Sequence, residues 1–269
     1  METAYSRGYL HGNYRLFHSS DRRNMDFESH FHDFHKIVFC LRGQAVYTME
    51  GTTYRLRPWD ILVIPEHQIH RSEIRSDEVY ERMILFISDD FLKSYGEPSL
   101  TDAIQRGLHR PEGETRARLA EKLKAVEAHQ RSDAAGHGLL ADTYLLQFVL
   151  ELGQMDTGAS EGSVSSDPRM DGILAYINGH LAEEMSVDAL AKRFFISPSQ
   201  LMHSFKKHTG CSVHRYIAEK RLICAAEKIR GGEAVMRAAE LSGFADYTAF
   251  LKAFRKQYGC APGAMKGRK

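Results

Sequence analysis

Five histidines crowd a short stretch of the chain: His30, His32, His35, His67 and His70. Imidazole can ligate a divalent metal or exchange hydrogen bonds with a polar ligand near neutral pH. The HFH triplet at 30–32 alternates, so a strand would carry His30 and His32 on one face. His70 closes PEHQIH, just after an apolar run. Such a trio could hold a divalent cation, or each ring could be an ordinary side chain at the edge of a small domain. Lys36 and Arg42 add donors for hydroxyl or carboxylate groups. Tyr47, Tyr54 and Trp59 add rings able to stack on a sugar, although Trp59 also reads as core packing.

A second constellation lies near the other end. FKKHTGC (205–211) and FRKQYGC (254–260) repeat at an offset of 49 residues. The correspondence runs backwards through Leu201 onto Phe250 and Ser199 onto Thr248, and brings Leu190-Ala191 near Ala239-Glu240. Each copy reads as helix, short turn, helix, with apolar side chains at i and i+4 (Leu201/Phe205, Phe250/Phe254) locking the second helix to its own core. The opposite face is polar and cationic: Ser199, His203, Lys206 and Lys207, then Thr248, Lys252, Arg255 and Lys256. Small or hydrogen-bonding residues allow close approach to base edges, and Lys or Arg further along meet phosphates. The chemistry is that of a duplicated helix-turn-helix, and the alternative is a plain helical bundle with solvated charges.

The elements that must position these residues fall into two halves. Up to about residue 88 the chain reads as short strands: 35–41, 44–50, 53–58, 60–65 and 79–87, rich in β-branched and aromatic residues. Strands at this spacing suggest a small barrel or jelly roll. Helices are expected near 113–130, with Leu119, Leu123 and Val126 on one stripe, and near 138–152, with Leu139, Leu140, Leu145, Leu146, Val149 and Leu150 on a broader one. This pair can pack on the barrel or on a second copy of the chain. GQMDTGASEGSVSSDP (153–168) has almost no apolar content and reads as a tether of roughly 20–25 Å reach. Beyond it, helices are expected at 169–181, 187–195, 199–208, 213–230, 234–242 and 247–258.

Charge divides at the same place. Residues 168–269 hold 17 Lys+Arg against 9 Asp+Glu, a net of +8, whereas residues 1–167 hold 19 against 26, a net of −7. The basic half is therefore the candidate for nucleic acid. With 43% hydrophobic and 26% charged residues the chain is ordinary globular protein. The four scattered cysteines form no CxxC, and the N-terminus lacks a signal-peptide pattern. No apolar run reaches the roughly 18 residues of a membrane span. A cytoplasmic location with reduced thiols and no membrane partner is expected.

The segment SVDALAKRFFISPSQLMHSFKKHTGCSVHRYIAEKRLICAAEKI, followed by AELSGFADYTAFLKAFRKQYGCAP, closely resembles the DNA-binding domain of AraC/XylS-type transcription regulators. That resemblance implies seven helices and two helix-turn-helix units reading adjacent major grooves of double-stranded DNA. Carried over by position, it implies base reading by Ser199, Met202 and His203 and by Thr248, Leu251 and Lys252. Lys206, Lys207 and Lys256 would lie nearer the backbone. Ala264-Met265-Lys266 departs from the aromatic-Arg ending frequent in the family.

SHFHDFHKIVFCLRGQAVYTMEGTTYRLRPWDILVIPEHQIHR resembles the two half-motifs of the cupin barrel common in such regulators. His30, His32 and His70 fall on the motif's histidines, but its acidic position holds Lys36. A lysine there repels a cation, so no resident metal and no cofactor are expected. A divalent ion, if held, would use His30, His32 and His70, with His35 as substitute. The resemblance implies instead an effector pocket for a small polar metabolite such as a sugar, lined by His30, His32, His35, Lys36, Arg42, Tyr47, Trp59 and His70.

The expected architecture is thus α+β with two domains. Residues 1–157 are expected to form a cupin-like barrel, with two helices, that binds effector and dimerises. Residues 158–168 are expected as a flexible linker, and residues 169–269 as an all-α domain with two helix-turn-helix units. The function expected is a sequence-specific transcription regulator, an activator, with a second copy of the chain and RNA polymerase as further partners. A metal-dependent cupin enzyme with an accessory DNA-binding domain is the alternative. No Walker loop, HExxH, GxSxG or GxGxxG element occurs, so no enzymatic activity is expected.

Overall fold

The computed structural model describes residues 10, 12–22, 25–74, 79–104, 107–132, 134–155, 163–164 and 167–266. Two compact units emerge: Leu10–Met49 with Thr53–Val164 form the first, and Ser165–Lys269 make up the bulk of the second.

The first unit contains β1 (Tyr14–Asp21), β2 (Met25–Asp26), β3 (His35–Arg42), β4 (Ala45–Met49), β5 (Thr52–Leu56), β6 (Ile61–Ile64), β7 (His70–Ile74) and β8 (Tyr80–Ile87). After these come α1 (Asp89–Ser94), α2 (Pro98–Asp102), β9 (Gly107–His109), α3 (Gly113–Gln130), α4 (His137–Gly153) and β10 (Ser163–Val164). Two five-stranded sheets result, in the orders β1-β8-β3-β6-β9 and β10-β5-β4-β7-β2. The inner strands of the first sheet, β8, β3 and β6, are buried on both faces, which explains why VFCL, ILVI and MILFI read as continuous apolar runs and not as clean alternations. Val38, Cys40, Leu62 and Ile64 point at the second sheet and share a core with Tyr47, Met49, Leu56 and Tyr80. Ile37, Phe39, Ile61, Val63, Met83 and Leu85 point the other way, onto the helices.

α3 and α4 pack on this outer face through Leu119, Leu123, Val126, Leu145, Phe148, Val149 and Leu152. The helix pair therefore belongs to its own barrel. The stripe expected on α4 is partly corrected: Leu139 and Leu140 are 71% and 43% exposed, and the buried face runs Ala141, Leu145, Phe148, Val149, Leu152. Leu139 and Leu140 sit in the first turn and point off the sheet-facing side. At the C-terminal end of α3, the Gln130 amide completes the edge strand. Its Oε1 accepts from the Leu16 N–H (3.1 Å) and its Nε2 donates to the Leu16 carbonyl (2.7 Å), covering an open edge.

Much of the expected linker (158–162 and 165–166) lies outside the described residues. Within it, Ser163 and Val164 pair with Tyr54 and Thr53 of β5.

The second unit is helical: α5 (Pro168–Gly179), α6 (Val187–Arg193), α7 (Pro198–Thr209), α8 (Val213–Arg230), α9 (Val235–Leu241) and α10 (Tyr247–Tyr258). A 3-10 segment, Pro262–Met265, makes the seventh helical piece. The ends follow side-chain chemistry. Asp167, Ser186, Ser197, Ser212 and Asp246 each accept a hydrogen bond from a first-turn N–H, as N-caps do. Pro198 opens α7, and α7 and α10 both end on a left-handed glycine, Gly210 and Gly259. Burial pushes the Cys40 thiol up to about 12. Among the described residues no helix is long and apolar enough to cross a membrane.

Candidate nucleic-acid interface and effector site

The sequence repeat is a structural repeat. α6-turn-α7 and α9-turn-α10 are the two helix-turn-helix units, joined by α8, whose 18 residues span roughly 27 Å. In α7 the buried face is Leu201, Phe205 and Thr209; in α10 it is Phe250, Phe254 and Tyr258, all five ring or aliphatic side chains at 2% exposure or less. Anchored in this way, each helix presents the opposite face outward. Ser199, Met202, His203, Lys206 and Lys207 are exposed on α7, and Thr248, Lys252, Arg255 and Lys256 on α10; Leu251 is half-buried. Lys206 and Lys207 fall in the last turn of α7, and Arg255 and Lys256 in that of α10, where they also complement the helix dipole.

One correspondence is corrected. In the first helix of each unit the buried pairs are Leu190-Ala191 and Ala238-Ala239, an offset of 48, and Glu240 is exposed. The second turn, between α9 and α10, is one residue longer than the first, so the register slips inside it. Both turns reverse through a left-handed residue, and the two are different: Phe195 (φ 55°) and Gly243 (φ 87°). Phe195 is 94% exposed. Gly243 instead lies against the Leu181 carbonyl and Arg221, whose Nε donates to that carbonyl (2.9 Å) and whose guanidinium also reaches the Glu183 carbonyl (2.7 Å).

In the barrel, strand alternation sorts the expected pocket residues. His30 and His70 form an isolated antiparallel bridge, N–H to carbonyl at 3.0 and 2.9 Å, which sets their rings 4.5 Å apart. The His32 ring lies 4.8 Å from His70 and 6.0 Å from His30. Burial holds the His32 and His70 imidazoles well below the usual histidine range, with further depression from neighbouring His30 and Lys36 charge. Lys36 shares the inner face of β3 with Val38 and Cys40, and its Nζ sits 5.8 Å from the centre of the Tyr47 ring. His30, His32, His70, Lys36 and Tyr47 are thus brought together.

The other three are not. His35 points to the helix side: its Nδ1 accepts from the Glu66 N–H (3.0 Å) and its Nε2 lies 3.6 Å from Asp89. Arg42 is exposed at the far end of β3, seven residues and roughly 20 Å from His35. Trp59 occupies the turn before β6, where Arg116 of α3 stacks over it at 5.1 Å and Phe39 lies 6.0 Å away. One interior group was missed from sequence. Arg82 of β8 is fully buried, lies 4.6 Å over the Tyr80 ring and pairs with Asp21 at 2.6 Å. Its signal was a charge interrupting the apolar strand YERMILFI.

A barrel with a polar interior, followed by a basic unit with two anchored, outward-facing helices, defines a ligand-binding DNA-binding regulator. Residues 14–149 match the family model described as the AraC-like ligand binding domain, and residues 190–268 match a helix-turn-helix domain model. The chain belongs to the AraC family of transcription regulators. It is similar to the HTH-type transcriptional activator RhaS of Escherichia fergusonii, 27% identical over 240 residues that cover 88% of this chain and 86% of the relative. RhaS of Salmonella typhimurium is 26% identical over 242 residues, with the same coverage. Among solved structures, ToxT from Vibrio cholerae is similar at 16% identity and a TM-score of 0.40, covering 96% of this chain and 99% of that one.

Proposed function

We propose that this regulator activates transcription from promoters it binds as a homodimer, using α7 and α10 to enter successive major grooves about 34 Å apart. Ser199, Met202 and His203, and Thr248, Leu251 and Lys252, read base edges; Met202 and Leu251 meet thymine methyls. Lys206, Lys207 and Lys256 hold phosphates. The observation that carries this reading is the duplicated pair of exposed faces at one spacing, each backed by a fully buried aromatic residue. Activation draws support from the relatives named activators and includes a contact with RNA polymerase. No catalytic step is proposed.

The effector is a small polar metabolite, such as a sugar or sugar acid, held in the barrel by His30, His32, Lys36, Tyr47 and His70. It acts by binding one arrangement of the protomers more tightly than another, and the shift cannot exceed that difference, typically about 1–3 kcal/mol. A thermal-shift screen of sugars, uronates and amino acids on the full chain, followed by gel shifts with the hit, tests both parts. A hit that raises the melting temperature and changes operator affinity supports the reading. A chain that binds no DNA sequence better than heparin overturns it.

A further inference from the structure

We propose that Phe195, in the turn between α6 and α7, is a DNA-contact residue whose ring lies against the deoxyribose of the strand flanking the first major groove. The inference deepens the DNA-binding role proposed for α7 and rests on it.

Folding supplies no reason for a phenylalanine at this position. Phe195 closes α6 at φ 55°, and the Ile196 N–H then donates to the Ala191 carbonyl (3.0 Å). The second turn closes in the same way on Gly243, with the Phe244 N–H donating to the Ala239 carbonyl (3.1 Å). Glycine is the residue that such a left-handed cap favours, and a side chain there is strained. Burial does not offset that strain, because Phe195 is 94% exposed. Its neighbour Phe194 turns inward, with its ring 5.9 Å from that of Tyr176. The apolar contact that accompanies this kind of cap falls to the next residue, the half-buried Ile196. Backbone strain of this kind persists mainly where function requires it.

The surroundings of the ring select a polyanion. From 189 to 218 the chain holds no Asp or Glu and five cations: Lys192, Arg193, Lys206, Lys207 and Arg215. The second turn, where glycine stands, is flanked by Glu240 and Asp246. Exposed surface runs on from Phe195 through Ser197 and Pro198 to Ser199, Met202 and His203 of the reading face. Four residues separate Phe195 from Ser199, at most about 14 Å of chain, and the major groove is about 12 Å wide. With α7 in the groove, a side chain just outside its N-terminus stands at the groove wall, away from the base edges. The apolar part of that wall is deoxyribose, and the nearby cations meet its phosphates.

The test uses the full chain in gel shifts on a promoter fragment that wild type protects, repeated over a range of salt concentrations. Phe195→Gly should weaken binding about tenfold, the scale of an apolar ring losing its cover. The slope of log affinity against log salt should not change, because no charge is removed. Hydrogen-exchange protection of α7 should be kept, since glycine suits the turn. Phe195→Tyr retains the ring and should bind within about twofold of wild type. With p-benzoyl-phenylalanine at position 195, irradiation of the promoter complex in the presence of RNA polymerase should crosslink the chain to DNA. Phe195→Gly affinity equal to wild type overturns the contact. A weakened Phe195→Gly with a changed salt slope or lost α7 protection also overturns it, by showing a structural role. Crosslinking to polymerase and not to DNA assigns the ring to a protein partner and overturns it as well. Wild type that shifts no promoter refutes the DNA-binding reading itself, whereas wild-type binding that Phe195→Gly leaves intact refutes this contact alone.

Discussion

Gly243 and Phe195 occupy the same place in the two helix-turn-helix turns, and adding one methyl group should have opposite consequences at the two. A Cβ built on Gly243 falls 2.2 Å from the Leu181 carbonyl oxygen and 2.8 Å from Arg221 Nε. Gly243→Ala must therefore part Arg221 from that carbonyl, losing a charged hydrogen bond worth about 1.5–3 kcal/mol. The left-handed backbone adds about 1–2 kcal/mol for a residue with a side chain. Reduced freedom of the unfolded chain returns about 0.4–1 kcal/mol. The net loss is about 3 kcal/mol, felt where α9 and α10 dock on the rest of their unit. Amide hydrogen exchange on the full chain reads this locally: α10 amides should exchange about a hundredfold faster, since roughly 1.4 kcal/mol is a factor of ten. Phe195→Ala, already at positive φ with its ring in solvent, should change exchange in α7 by less than about threefold. Equal protection in Gly243→Ala and wild type, or equal losses in both variants, would refute the account of how the second unit is held.

Phe195→Gly should stabilise the helical unit by about 0.5–1 kcal/mol, the left-handed strain relieved less the added unfolded-state freedom; a lower denaturation midpoint contradicts it. Lys252→Ala should weaken DNA binding at one position of the site and relax preference there, whereas Lys207→Ala should weaken all sequences alike and flatten the salt dependence; gel shifts showing the reverse would exchange their roles. His109 is buried and its imidazole is pushed down to about 4 by desolvation. Because the unfolded chain takes up that proton near 6.5, the stability it confers is full above that pH. It is lost as pH falls from 6.5 towards 4, by about 3 kcal/mol. His109→Gln should blunt that acid loss in pH-dependent denaturation of the full chain, and an unaltered profile would count against it.

The helical unit was legible almost to the residue because its signals are local: caps at Ser186 and Ser197, a closing glycine at Gly210, and apolar side chains at helical spacing. What escaped was the slip of one residue between Leu190-Ala191 and Ala238-Ala239, since turn length leaves little trace in composition. The barrel was read through β3, β4, β5, β6 and β8. β7 was hidden because HRSEI is polar at alternate positions, and β9 has only three residues, too few for a pattern. Of the pocket residues, His30, His32, Lys36, Tyr47 and His70 converge. Their grouping depends on strand parity and on the His30–His70 bridge, and the long-range pairing that makes the bridge has no local signal. His35 was read with them as a pocket residue, yet its ring turns to the Glu66 N–H and Asp89 instead.

Footprinting of the full chain on a promoter it regulates tests the central claim most directly. Two helices anchored alike and joined by α8 should protect two adjacent major-groove segments on one face of the duplex, centred about 34 Å apart. Lys252→Ala and His203→Ala should each uncover a different segment. Protection of a single groove, or a footprint that both substitutions erode identically, would contradict it.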